Sequence, residues 1–178
     1  MRSPVVMEKI KIPENIDINI DNNKIILKGN KGTIERKIND NNIIIIKEND
    51  YLVIKAYFPS KRIIKNLYTL SAHLRNDING LVNGYRYILR SISVHFPLKI
   101  KLDKNNKLLI ENYMGGRDIK EIEIPKDIKI NIKENEISIE GYNIELLGNL
   151  AGLIENSVRP KEKDLRKFQD GIFIVKKP

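Results

Sequence analysis

Ile12-Pro-Glu-Asn-Ile-Asp-Ile-Asn-Ile-Asp-Asn-Asn-Lys-Ile-Ile-Leu-Lys-Gly29 recurs without a gap as Ile124-Pro-Lys-Asp-Ile-Lys-Ile-Asn-Ile-Lys-Glu-Asn-Glu-Ile-Ser-Ile-Glu-Gly141, at a constant offset of 112 residues. Pro13 meets Pro125, and Ile16, Ile18 and Ile20 meet Ile128, Ile130 and Ile132. Asn23 meets Asn135, and Gly29 meets Gly141. Alternating isoleucine alone is weak support in a chain so rich in it; the aligned Pro, Asn and Gly make this an internal repeat. Each copy reads as two strands with one apolar face, because Ile alternates with Asp, Asn or Lys at the period of a half-buried antiparallel strand. Asp21-Asn-Asn-Lys24 and Lys133-Glu-Asn-Glu136 are the turns, where Asn tolerates a left-handed backbone.

Each half adds a helix. Ile63, Leu67, Leu70, Leu74, Ile78 and Leu81 form one apolar stripe from Lys61 to Val82, with Pro59-Ser60 as its start and Gly84 as its stop. Ile144, Leu147, Leu150 or Ala151, Ile154 and Val158 form the second stripe, ended by Arg159-Pro160. Further strands are expected at Thr33–Ile38, Ile43–Ile46 and Tyr51–Ala56, then at Tyr85–Phe96, Leu98–Leu102, Lys107–Asn112 and Asp118–Glu123. The fold class is α+β: two tandem duplicated units, each an antiparallel sheet packed against one helix. The first unit is placed at residues 1–96, with 1–8 as an N-terminal extension, and the second at 97–178 with a basic C-terminal segment.

Composition narrows the function. The 178 residues hold 32 Lys+Arg against 23 Asp+Glu, a net charge of +9, with 41% hydrophobic residues. That is enough apolar material for a core, and no stretch approaches the roughly 20 apolar residues of a membrane span. With no cysteine and two histidines, disulfides, thiol nucleophiles and zinc-finger sites are excluded. No cofactor or metal is expected. No targeting signal is visible, so a cytoplasmic location is the default. The positive excess favours a polyanionic partner. It lies in residues 61–100, net +6, and 161–178, net +3, whereas 101–160 is net −2.

The candidate binding residues follow the charge. On Tyr85–His95, Tyr85, Tyr87, Leu89, Ser91, Ser93 and His95 share one face and Arg86, Ile88, Arg90, Ile92 and Val94 the other. Arginine interleaved with tyrosine suits an RNA-facing sheet, and equally a strand leaving the core. Arg117 sits in the loop Tyr113-Met-Gly-Gly-Arg117. The tail carries Lys161, Lys163, Arg166, Lys167, Lys176 and Lys177 beside Phe168 and Phe173, a source of salt-dependent phosphate affinity. Leu165, Phe168, Ile172 and Ile174 would anchor it to a core. Gly29-Asn-Lys-Gly32 reads as a hairpin glycine turn and not as a phosphate loop, since no Gly-Lys-Ser/Thr opens a helix. No nucleophile–base set and no Gly-x-Ser-x-Gly, His-Glu-x-x-His or Walker pattern is present, so catalysis has no support.

Seven markers then point one way. They are Ile12-Pro-Glu-Asn15, Gly29-Asn-Lys-Gly-Thr33, Ala72-His73, Gly84-Tyr-Arg-Tyr-Ile-Leu-Arg-Ser91, His95-Phe-Pro97, Gly141-Tyr-Asn-Ile-Glu145 and Asp164-Leu-Arg-Lys-Phe-Gln-Asp-Gly-Ile172. In this order, from about Glu8 to Val175, they resemble the universal large-subunit ribosomal protein, called protein six in bacteria and protein nine in eukaryotes. His-Phe-Pro and the Arg-Lys-Phe-x-Asp-Gly-Ile ending resemble its eukaryotic and archaeal branch. The resemblance implies a tandem duplication of one α+β fold and a structural protein of the large subunit. It further implies rRNA binding near the sarcin–ricin loop and the translation-factor platform, with much of the RNA contact made by the second domain. An RNA-contact role passes by this likeness to Lys161, Lys163, Arg166, Lys167 and Arg117; Arg86 and Arg90 rest on the strand pattern. Large-subunit rRNA and neighbouring ribosomal proteins are the implied partners, with no membrane and no small-molecule substrate. The alternative is a free-standing RNA-binding module or RNA chaperone using the same basic surface. A protein scaffold docking through the acidic 101–160 stretch ranks third, and a small enzyme last.

Overall fold

The computed structural model describes residues 4–21, 24–38, 40–160, 164 and 166–178. The chain forms two compact units, Met1–Gly84 and Tyr85–Pro178. The first contains β1 (Val5–Lys11), β2 (Asp17–Asp21), β3 (Lys24–Gly29), β4 (Gly32–Lys37), β5 (Ile44–Glu48), β6 (Tyr51–Tyr57) and α1 (Lys61–Val82). Two antiparallel sheets, β1-β6-β5 and β2-β3-β4, enclose a core with α1. Ile25, Leu27, Leu52, Ile54, Leu67, Leu74 and Leu81 are fully buried there; each contributes about 1.5–3 kcal/mol by leaving water.

The helix begins and ends where the residues say. The Ser60 hydroxyl accepts the Ile63 N–H, an N-cap that satisfies one orphan donor of the first turn. Gly84 takes a positive φ of 75° and donates its N–H to the Gly80 carbonyl, the left-handed residue that stops a helix. Gly29 has a different task. A Cβ there would stand 2.9 Å from the Leu81 Cβ, so only glycine lets β3 pass this close to α1.

The second unit contains β7 (Tyr85–Ile92), β8 (Lys99–Leu102), β9 (Lys107–Glu111), β10 (Lys120–Glu123), β11 (Lys129–Lys133), β12 (Glu136–Gly141), α2 (Ile144–Ser157) and β13 (Gly171–Lys176). Its sheets are β10-β9-β8 and β11-β12-β7-β13. Leu89, Leu108, Ile110, Ile137, Ile139, Leu147 and Ile154 form its core. The α2 N-cap is Asn143, whose side chain accepts the N–H groups of Glu145 and Leu146.

The α+β class and the two-unit plan stand, with four corrections. Each unit holds two sheets beside its helix, not one. The division falls after Gly84 and not at Phe96, because Tyr85–Ile92 pairs with β12 and β13 of the second unit. Residues 5–8 are no extension, since Val5–Lys11 pairs along its whole length with β6. The strand expected to reach Phe96 ends at Ile92, because the Val94 and His95 N–H groups donate to the Asp170 carboxylate and not to a neighbouring strand.

The repeat itself is subtler than a shared register. In chain order, β1 to β6 and α1 correspond to β7 to β12 and α2. The sheet β1-β6-β5 then matches β7-β12-β11, and β2-β3-β4 matches β8-β9-β10. The segments alike at offset 112 form β2–β3 and β11–β12, which occupy different places in that order. Their local construction is the same: Ile16 N–H donates to Pro13 O at 3.2 Å and Ile128 N–H to Pro125 O at 3.1 Å. The two sheets of one unit also resemble each other. One closing backbone bond recurs in three sheets, Ile12 to Asp50 O, Ile124 to Asn106 O and Ser91 to Asn135 O.

Candidate nucleic-acid interface

The side chains of β7 divide as the alternation requires. Tyr85, Tyr87 and Leu89 face the core and α2, and Gly148 of α2 leaves room for the Tyr87 hydroxyl, which a Cβ would meet at 3.3 Å. Arg86 and Arg90 lie on the opposite, outer face, so the tyrosines are not available there for base stacking. The aromatic beside them is Phe173 of β13, opposite Arg90 and 40% exposed.

Register builds the rest of that face. Lys129, Glu140 and Arg86 stand in one row across β11, β12 and β7, and Lys133, Glu136, Arg90 and Phe173 in another that reaches β13. Each acid lies between two cations, so each row keeps one net positive charge. Arg86 Nε is 3.3 Å from Glu140 Oε1. Lys129 and Lys133 are members that sequence reasoning missed. Their signal was present in the repeat itself, as the polar partners of Ile128, Ile130 and Ile132.

A second group of cations gathers at the end of β7. The Asp170 carboxylate, 2% exposed, accepts the Val94 and His95 N–H groups at 2.6 and 3.0 Å. Its other oxygen lies 2.7 Å from His95 Nδ1. These bonds draw the chain out of β7 after Ile92. Burial pushes the Asp170 carboxyl up, but the bonds from the His95 ring and from the His95 and Val94 backbone outweigh it and hold the group below the usual carboxylate range. Phe168 then packs on the His95 ring with centroids 5.5 Å apart. On the other side Asn112 Nδ2 donates to Pro97 O at 3.0 Å. Gly115 abuts Phe96 so closely that a Cβ would be 3.0 Å from its ring.

His95-Phe96-Pro97 thus joins two basic segments, the loop that carries Arg117 and the turn that carries Arg166 and Lys167. The turn is shaped by Asp164, whose backbone carbonyl accepts from Lys167 and Phe168. Its carboxylate accepts from the Arg166 backbone, Nε and Nη2 at 3.0–3.1 Å. Those bonds hold Asp164 below its ordinary value, the Arg166 side chain first and its backbone second. Arg166 remains 90% exposed with part of its charge offset. Among the described residues, no carboxylate pairs with Arg90, Arg117, Lys167, Lys176 or Lys177.

The expected site residues therefore fall into two sets. Arg90, Arg117, Arg166 and Lys167 cluster toward the His95–Pro97 end of β7. Arg86, Lys176 and Lys177 lie toward its other end, where Lys176 pairs with Ile88. Lys161 and Lys163 lie outside the described residues, as does Leu165. Ile172 and Ile174 anchor the tail to the core as expected, through β13, whereas Phe168 packs on the His95 ring and not in the core. No helix among the described residues is long and apolar enough to cross a membrane.

Comparison with known proteins agrees over the whole length. The chain is 36% identical over 177 residues to large ribosomal subunit protein uL6 of Staphylothermus marinus, covering 98% of this chain and 96% of that protein. The protein of the same name from Desulfurococcus amylolyticus is 38% identical over 174 residues, covering 97% and 95%. That of Nanoarchaeum equitans is 34% identical over 185 aligned positions, covering 99% and 96%. The chain belongs to the uL6 family. No protein-family model matches it. The resemblance carried by the seven motifs is thereby established, and the structure supplies a physical reason for two of them. His95-Phe-Pro97 and the Asp170 of Arg166-Lys-Phe-Gln-Asp-Gly-Ile172 are the two halves of one hydrogen-bonded junction.

Proposed function

We propose that this chain is a non-catalytic structural constituent of the large ribosomal subunit, and that its second unit holds rRNA near the sarcin–ricin loop and the translation-factor platform. The observation that carries the reading is the junction at His95–Pro97, which brings Arg90, Arg117, Arg166 and Lys167 to one end of the second unit. Membership of a family whose members bear the name large ribosomal subunit protein points the same way. Neighbouring ribosomal proteins are its further partners, and the ribosome of the cytoplasm is its place.

The physics required is modest. Exposed guanidinium and ammonium groups neutralise phosphates and release condensed counterions, which supplies affinity without base reading. The protein's contribution is to set the spacing of those charges in advance. Asp170 does so by fixing the bend from which both basic segments extend.

The test is binding of the full chain to an rRNA fragment containing the sarcin–ricin loop, over a salt series. Replacing Arg90, Arg117 or Lys167 singly by Ala flattens the slope of log K against log salt by about 0.7–0.9 for each phosphate no longer neutralised. Lys55→Ala in the first unit, as control, leaves it unchanged. Slopes unaltered by all three substitutions, with circular dichroism showing intact folds, would refute this assignment.

A further inference from the structure

The correspondence between the units leaves one place unequal. In the second unit β13 adds to the outer edge of β7 and lies against α2, with Ile172 and Ile174 entering the core. The Glu155 carboxylate of α2 accepts the Ile174 N–H at 3.1 Å. The counterpart of β7 in chain order is β1, and its outer edge carries no strand among the described residues.

That edge is equipped for pairing. Phe58 N–H donates to Pro4 O and Ile12 N–H to Asp50 O, which places the even-numbered residues of β1 in the hydrogen-bonded positions toward β6. Antiparallel alternation then turns the N–H and C=O groups of Met7, Lys9 and Lys11 outward. Beside this edge runs a groove of about 240 Å³ between β1 and α1, lined by Ile10, Pro13, Arg75, Ile78, Asn79 and Val82. The other face of the strand is exposed, with Met7 at 50% and Lys9 and Lys11 also open. Lys55 stands opposite Met7.

We propose that β1 takes an extra antiparallel strand from a partner protein, an extended segment whose aliphatic side chains enter the groove beside α1 and whose alternate side chains are acidic. Backbone groups pointing outward in alternation are satisfied by a strand and not by nucleic acid. The charge selects the partner. Lys9, Lys11 and Lys55 attract carboxylates, and they repel a second β1 brought edge to edge, which is how lysine protects an open edge from self-pairing. The strand β13 of a second copy is equally disfavoured, because it ends in Lys176 and is followed at once by Lys177. This inference is independent of the RNA reading, since it concerns only the first unit.

The experiment uses the full chain and a synthetic blocked heptapeptide, Glu-Ile-Glu-Val-Glu-Ile-Glu, at up to millimolar concentration. The readout is amide hydrogen exchange resolved by residue. Exchange at Met7, Lys9 and Lys11 slows by about tenfold or more when the peptide is present. Lys9→Pro removes an outward N–H without touching the β6 ladder, and abolishes the slowing at Met7 and Lys11. Lys9→Glu combined with Lys11→Glu transfers the preference to a heptapeptide with Lys in place of Glu. No slowing at millimolar peptide would overturn the proposal, as would equal slowing of the wild type by the Lys peptide. Protection of the same amides by an rRNA fragment, or by self-association without peptide, would assign the edge to another occupant and also overturn it.

Discussion

Asp170 shows how much one buried side chain organises. It stands between a strand end, an imidazole and a C-terminal strand, and three donors converge on it. Because its folded-state pKa is lowered, its stabilising contribution is complete above the ordinary carboxylate value of about 3.9. That contribution is lost as pH falls through the lower folded value. Asp170→Asn keeps the shape but weakens charge-assisted bonds, and costs about 1.5–3 kcal/mol in urea unfolding at neutral pH. In the wild type, amide exchange at Val94 and His95, corrected for the intrinsic acid dependence, accelerates selectively below about pH 4. Loss of protection there at pH 6 would contradict the assignment. The residue's role was only partly visible in the sequence. Its motif was recognisable, but an aspartate among lysines gives no sign of burial, and its partners lie 75 and 76 positions away.

At the scale of elements, legibility followed periodicity. The stripe in α1 placed the helix at Lys61–Val82, the residues it occupies, because a 22-residue amphipathic pattern with a Ser cap leaves little choice of register. β1 escaped detection because its inner positions are Val6, Glu8 and Ile10. The polar one is satisfied by Arg75 and Ser71 of α1, so burial and hydrophobicity part company there. The left-handed residue of the β11–β12 turn is Glu134 and not Asn135, since the turn geometry and not the residue preference decides. The repeat at offset 112 was genuine as local structure. It could not say which sheet each hairpin joins, because both contain an Ile-Pro turn, a return strand and a closing glycine. The joint between sheet and helix rests on Arg36 of β4, whose Nε and Nη2 reach the Asp77 carboxylate at 2.7 and 2.9 Å. Asp77 is 1% exposed at its side chain, so Asp77→Ala strands a guanidinium in a partly buried site. We expect a loss of about 3–5 kcal/mol, read by thermal or urea unfolding; a change below about 1 kcal/mol would show that the pair behaves as a surface ion pair.

For the whole molecule, the sequence carried the class, the duplication and the family, because each depends on patterns spread along the chain. The composition of the candidate face was less accessible. Lys129 and Lys133 lie in the segment of net negative charge, yet register places them around Glu136 and Glu140 beside Arg86 and Arg90. Local charge sums cannot reveal that, since strands exchange neighbours across the fold. The account of the chain as a ribosomal protein held by RNA is tested most directly by sedimentation of the native protein from a cell lysate, with and without ribonuclease. It predicts quantitative migration with the large subunit and loss of that migration once the RNA is digested. Protein at the top of the gradient in both samples would contradict it.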